Sequence, residues 1–215
     1  MHQLVLFDLD GTLLDSAAEI TAAINDALQA MGVPPVEQAQ VVEWIGHGTR
    51  DLLSRVARWA EAQHFAVDVQ RLLDLYDRHY GQRCGTDSAL YPTVRDTLLA
   101  LSERGVKLAL VTNKEWRFVR PLLQAHGLLE RFDMLVCGDT YPQRKPDPTG
   151  VQACLERFQV LPQHALLVGD SAVDVLTARR AGIAVWAVPY GYNQGEPVAA
   201  SGPDRVIDDF RALIP

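Results

Sequence analysis

Apolar residues fall along this chain in two rhythms. Short unbroken runs, Leu4-Val5-Leu6-Phe7 first among them, stand at the start and recur through the second half. Between them, apolar positions return every three or four residues. An unbroken run of that length, closed by a turn signal, suits a strand buried on both faces of a parallel sheet. The other spacing predicts amphipathic helices packed on one another. Ile20, Ile24, Leu28 and Met31 mark a first helix, which Ser16 and Glu19 would open as a capping box and Gly32 with Pro34 would stop. Helical patterns follow over 37–45, 49–63 and 68–81, with Trp44, Ile45, Leu52, Leu53, Val56, Leu72, Leu73 and Tyr76 as core positions.

From Pro92 onward the two rhythms alternate. A helix through Val94, Leu98 and Leu101 closes at Gly105 and leads into a strand at 107–111. Strands at 133–137, 165–168 and 184–188 follow, separated by helices near 116–126, 148–158 and 172–181. A short strand near 205–207 and a last helical turn finish the pattern. Such alternation implies a parallel sheet with helices on both faces. The chain between Asp8 and the strand at 107 is far longer than a crossover with loops of about 2–6 residues requires. The expected fold is therefore α/β, a doubly wound, mainly parallel (Rossmann-like) sheet with an inserted all-helical cap domain. Its core would comprise 1–14 and 89–215, its cap 15–88. A lid attached beside the first strand could close over a small ligand and exclude water.

The composition narrows the partners. With 215 residues and 48% hydrophobic content the chain can build a full core. A net charge of −7 argues against nucleic acid or an anionic membrane as partner. Cys84, Cys137 and Cys154 are odd in number and form no CxxC pair, so they read as reduced thiols of a cytoplasmic protein. No secretory segment or membrane-spanning run is evident. The oligomeric expectation is a monomer or a homodimer.

Candidate chemistry collects where strands end, which is where open parallel sheets bind ligands. The first run stops in Asp8-Leu9-Asp10-Gly11-Thr12. Asp10-Gly11 alone is ordinary turn chemistry. Asp8 lies where the strand is still buried, so its carboxylate needs a partner or a cation. The strand at 107–111 runs into Thr112-Asn113 just before a helix, which reads as a phosphate cradle or as a plain cap. Lys145, between an Arg and a proline-stiffened turn, offers a held ammonium. The strand at 165–168 ends in Gly169-Asp170-Ser171, with Asp174 one helical turn on. Four carboxylates against one ammonium would repel an anion unless a hard divalent cation, Mg2+ by preference, corrected the sign.

The order DLDGT, an apolar strand plus TN, KPDP and GDSAVD resembles the haloacid dehalogenase-like hydrolase superfamily, in particular its phosphatases with a helical cap after the first strand. The stretches Trp44-Ile45-Gly46-His47-Gly48, Val111-Thr112-Asn113-Lys114, Cys137-Gly138-Asp139-Thr140 and Tyr190-Gly191-Tyr192-Asn193 with Gly195-Glu196-Pro197 are similar to the bacterial phosphoglycolate phosphatases. The resemblance implies a Mg2+-dependent phosphomonoesterase in which Asp8 is the nucleophile, Asp10 the general acid and base, and Lys145 a partner of the phosphoryl group. It implies metal ligation by Asp8, the Asp10 carbonyl and Asp170, with Asp174 as ligand or support. Thr12, Thr112 and Asn113 would face the phosphoryl oxygens. In the cap, His47 and Arg50 would meet the rest of a small phosphorylated metabolite, 2-phosphoglycolate being the first expectation. A phosphatase for another small metabolite, a sugar phosphate or pyrophosphate, and a sugar phosphomutase of the same fold are the alternatives.

Overall fold

A computed structural model describes residues 2–214. Its centre is β1 (Leu4–Phe7), each of whose residues is buried, because the strand is flanked on both sides and covered on both faces. One parallel neighbour is β4 (Lys107–Val111) and the other is β6 (Ala165–Gly169). Outside them lie β5 (Met134–Val136) on one side, and β7 (Ala184–Ala187) and β8 (Arg205–Val206) on the other. The six-stranded order is β5-β4-β1-β6-β7-β8, with every pairing parallel. The chain therefore builds outward from β1 in one direction and then in the other, with the reversal between β1 and β6. Such a reversal opens a crevice at the carboxyl ends of the strands.

The two-residue pleat divides the core. Val5 and Phe7 pack with Leu108, Leu110, Leu166 and Val168 beneath α5 (Val94–Glu103) and α6 (Trp116–Ala125). Leu4 and Leu6 pack on the opposite face with Ala109, Val111 and Leu167 against α7 (Thr149–Phe158) and α8 (Ala172–Ala181). Phe210, in a short 3-10 turn near the chain's end, is fully buried and stacks on Phe7 at 6.0 Å.

An all-helical cap is inserted after β1. The chain leaves through β2 (Leu14–Asp15) and returns through β3 (Ala89–Leu90), which pair antiparallel as a two-stranded ribbon. Between them lie α1 (Ala17–Ala30), α2 (Gln38–Val42), α3 (Thr49–Ala62) and α4 (Val69–Arg83). Ile20, Ile24, Leu28, Leu53, Val56 and Leu72 form their common core, joined from below by Phe118 and Tyr192.

The local expectation at the start of α1 is overturned. Ser16 makes no cap hydrogen bond; its hydroxyl donates to Asp10 Oδ1 at 2.5 Å. Glu19 is buried and accepts from Tyr80 Oη at 3.0 Å and from the Gly85 and Asp87 amides at 2.9 and 3.4 Å. Tertiary partners at the joint outcompete the local box. The capping box forms at α8 instead, between Ser171 and Asp174. Likewise Thr112 and Asn113 precede α6 by a loop, since that helix starts at Trp116 with Glu115 as its cap residue.

Replacing Phe210 by Ala should remove about 3–5 kcal/mol of stability, the usual range for a fully buried aromatic. Chemical denaturation measures this, and a loss below about 1 kcal/mol would show that the Phe7–Phe210 stack carries little of the packing under β1.

Candidate active site

The cleft beyond the sheet is assembled from the strand ends. The amide of Asp8 still donates into the ladder, to Val168 O at 3.0 Å, so the carboxylate leaves β1 beside the end of β6. Gly11 then turns the chain with φ +84°, and a Cβ there would run into the Asp170 carboxylate. The turn thus brings the DLDGT segment against β6 as closely as backbone allows.

Asp8, Asp170 and Asp174 are all buried, and one carboxylate oxygen of each lies within 4.8 Å of the others. Lys145 Nζ sits 2.8 Å from Asp8 Oδ1 and 2.6 Å from Asp174 Oδ1. The approach to Asp8 is that of an ion pair without hydrogen-bond alignment, so Asp8 Oδ1 is buried with no directed donor. Asp174 is better supplied, because its Oδ2 accepts from Ser171 Oγ at 2.7 Å and from the Ser171 amide at 3.2 Å. Asp170 accepts from Thr12 Oγ1 at 2.7 Å and from the Tyr192 amide at 2.6 Å.

Burial and crowding set the charges. Desolvation outweighs the attraction of Lys145 and pushes the Asp8 carboxyl up to about 6. Desolvation, then the charges of Asp174 and Asp8, hold Asp170 well above the ordinary carboxylate range. Burial alone would lower Lys145, but the two carboxylates beside it prevail and raise it. Three crowded acids with a single ammonium among them form a site short of positive charge.

The second half of the cleft lies toward the cap. Both Asp10 oxygens are 3.0 Å from Lys114 Nζ, which is itself buried and 4.7 Å from the centre of the Tyr80 ring. Asn113 Nδ2 donates to Gly46 O of the cap at 2.9 Å and to Lys145 O at 3.0 Å, tying three segments together. Thr112 Oγ1 accepts from the Lys114 amide at 3.2 Å and keeps its own proton to donate. The enclosed space is about 50 Å³, lined by Asp8, Asp10, Thr112 and Asn113 below and by Ile20, Ile45, Gly46, Gly48, Leu52 and Tyr76 above.

The residues marked from sequence are thus brought together in part. Asp8, Asp10, Thr112, Asn113, Lys145, Asp170 and Asp174 converge at one edge of the sheet. Thr12 is fully buried and turned onto Asp170 rather than into the cleft. Arg50 is exposed on α3 and His47 is half-buried, and neither lines the space that Gly46, Gly48 and Thr49 line. Tyr192 was not marked for a role: its hydroxyl accepts from the Ser16 and Ala17 amides at 3.0 and 3.1 Å and donates to Asp15 Oδ1 at 2.5 Å. It joins Asp170 to the point where the cap begins. The run Tyr190-Gly191-Tyr192-Asn193 held its only sequence signal.

A carboxyl raised in the folded state binds its proton more tightly there than in the unfolded chain. Its burial penalty is therefore relieved as pH falls through about 6, the value for Asp8. In EDTA, Lys145→Met should cost about 3–5 kcal/mol at pH 7.5, the usual range for breaking a buried pair. It should cost clearly less at pH 5, where the Asp8 carboxyl is protonated and no longer needs the ammonium. Urea unfolding at both pH values tests this, and equal losses would contradict it.

Comparison with known proteins fits this geometry. Residues 5–188 match the family model described as haloacid dehalogenase-like hydrolase. A phosphoglycolate phosphatase of Vibrio vulnificus (strain YJ016) is 40% identical over 219 residues, covering 99% of this chain and 94% of that one. Phosphoglycolate phosphatase 1 of Pseudomonas aeruginosa is 42% identical over 218 residues, covering 100% and 79%. The crystal structure of a predicted phosphoglycolate phosphatase from Haemophilus somnus superposes with a TM-score of 0.93 at 36% identity, covering 99% and 96%. The chain belongs to the haloacid dehalogenase-like hydrolases.

Proposed function

We propose that the protein is a Mg2+-dependent phosphatase that hydrolyses a small phosphomonoester, 2-phosphoglycolate first, to glycolate and phosphate through an aspartyl phosphate on Asp8. The observation that carries this reading is the convergence of Asp8, Asp170 and Asp174 around Lys145 at the mouth of the sheet. Relatives that share about two fifths of the sequence bear the phosphoglycolate phosphatase name. The small, lidded cleft suits a short substrate.

The donor set fits a divalent cation. Three buried carboxylates lie within reach of one another, two of them held above their ordinary range, and Asp8 Oδ1 has no directed donor. Mg2+ would take a carboxylate oxygen of Asp8, the Asp10 carbonyl and Asp170. Asp174, whose oxygens are already engaged by Lys145 and Ser171, supports the set and orients Lys145. When bound, the cation would neutralise the surplus negative charge and draw charge from a phosphoryl oxygen.

Asp8 attacks phosphorus opposite the ester oxygen, forming the aspartyl phosphate as the ester P–O bond breaks. Asp10 gives the departing alkoxide its proton. In the second half Asp10 takes a proton from water as that water attacks phosphorus and releases Asp8. Thr112, the Asn113 amide and Lys145 hold the equatorial oxygens, where charge gathers in the transition state. Thr12 acts through Asp170. The mobile unit is the 15–88 cap on the 1–14 and 89–215 core, joined at the β2–β3 ribbon. Three free thiols fit a reducing compartment such as the cytoplasm.

The direct test is a panel of phosphate esters with Mg2+, comparing kcat/KM for 2-phosphoglycolate, sugar phosphates and pyrophosphate. Highest efficiency on 2-phosphoglycolate is expected, and a clear preference for another ester would replace that substrate. Asp8→Asn should abolish turnover while leaving the circular dichroism spectrum unchanged. Near-wild-type turnover by that variant would remove the nucleophile assignment.

A further inference from the structure

Cation recognition of the substrate's second charge is expected from the cap, yet the cap presents no positive side chain to the cleft. Arg50 points to solvent and His47 lies outside the lining. The cap walls are apolar: Ile20, Ile45, Leu52 and Tyr76. A carboxylate entering that space would lose its water and face Asp8 and Asp10. Such burial is strongly unfavourable without a cation at contact.

Lys114 is a cation that lines the cleft. It extends from the loop after β4, its ammonium lies 4.7 Å from the centre of the Tyr80 ring, and both oxygens of Asp10 chelate it. Asp10 is also held by Ser16 Oγ. In this arrangement the Asp10 side chain is tied toward the cap joint. Glu19 also feels the Lys114 charge but makes no ion pair with the ammonium, and its oxygens take Tyr80 Oη and the backbone amides of Gly85 and Asp87.

We propose that Lys114 is the specificity residue: it gives up one Asp10 contact and takes the substrate's carboxylate in its place. This rests on the reading of the protein as a phosphatase of a carboxylated phosphoester. In 2-phosphoglycolate a single methylene separates the carboxylate from the ester oxygen, so an ammonium bound to Asp10 is within reach of that carboxylate. The exchange gives the incoming carboxylate a cation at contact, while Asp10, whose carboxyl carries the proton for the departing alkoxide, no longer needs one. It also frees the Asp10 side chain to turn toward the ester oxygen. A substrate lacking the carboxylate leaves the Lys114–Asp10 pair intact and Asp10 withheld.

The test compares 2-phosphoglycolate with ethyl phosphate, which carries a methyl group in place of the carboxylate. Wild-type protein should prefer the carboxylated ester in kcat/KM. In Lys114→Met that preference should fall by about 100-fold or more, in line with the truncation of one partner of a buried charge pair. Lys114→Arg, which keeps the charge, should retain a larger share of the preference. Isothermal titration with 3-phosphonopropionate and propylphosphonate gives the same comparison without turnover. The carboxylated analogue should bind wild type more tightly than propylphosphonate, and Lys114→Gln should bind the two alike. A wild-type protein indifferent to the carboxylate would overturn the substrate reading itself. A wild type that prefers it, with Lys114→Met or Lys114→Gln keeping that preference, would overturn the assignment of Lys114 alone. Equal losses on both esters would make Lys114 a positioning residue for Asp10 and likewise remove it from recognition.

Discussion

The structure depends on a crowding of buried charge: Lys145 holds Asp8 and Asp174 at 2.8 and 2.6 Å, with Asp170 alongside. Burying carboxylates is unfavourable unless positive charge is close, and one ammonium does not balance three acids. The fold meets this deficit with geometry. The Asp174 carboxylate closes the N-terminus of α8 as a cap and so gains the helix dipole as well as the Ser171 hydroxyl. Asp170 draws on Thr12 and on the Tyr192 amide. Asp8 Oδ1 has the Lys145 ammonium at 2.8 Å but no directed hydrogen-bond donor.

The same economy of contacts links the site to the cap. Tyr192 reaches Asp170 with its backbone and the first residues of α1 with its hydroxyl, so the carboxylate cluster and the joint share one residue. Glu19, from the cap's first helix, receives amides from the segment where the cap returns to the core. Asn113 closes the other side by binding Gly46. These polar links are few and specific, whereas the cap's own cohesion is apolar. The joint is not polar throughout, since Phe118 and Tyr192 enter the cap's apolar cluster and Phe118 meets the rings of Tyr76 and Tyr80.

The sequence reading of the elements held wherever local pattern decides the outcome. Every strand predicted in the second half is present, and for the inner ones the reason is that unbroken apolar runs between helical stretches have no other way to bury both faces; β8, whose two residues are exposed, simply closes the edge. The long insertion after β1 was evident from chain length alone. The reading failed at Ser16 and Glu19, where a motif with the spacing of a capping box is used for contacts across the joint. It also missed the β2–β3 ribbon, since two residues carry no periodicity.

For the site, sequence alone determined the acids and the lysine of the core, because carboxylates at the ends of buried strands have few structural explanations. Parallel strands then bring those ends together whatever the helices between them do. Only the tertiary structure decided which cation lines the cleft beside Asp10. In the sequence Lys114 figures only as the last residue of the Val111-Thr112-Asn113-Lys114 stretch, with no role of its own, whereas Arg50 reads as a cap ligand. Burial separates them: the fold closes Tyr80 and Asp10 over Lys114 and turns Arg50 outward. Burial is a property of the packed whole, set by contacts between residues far apart in the chain, and no local pattern encodes it.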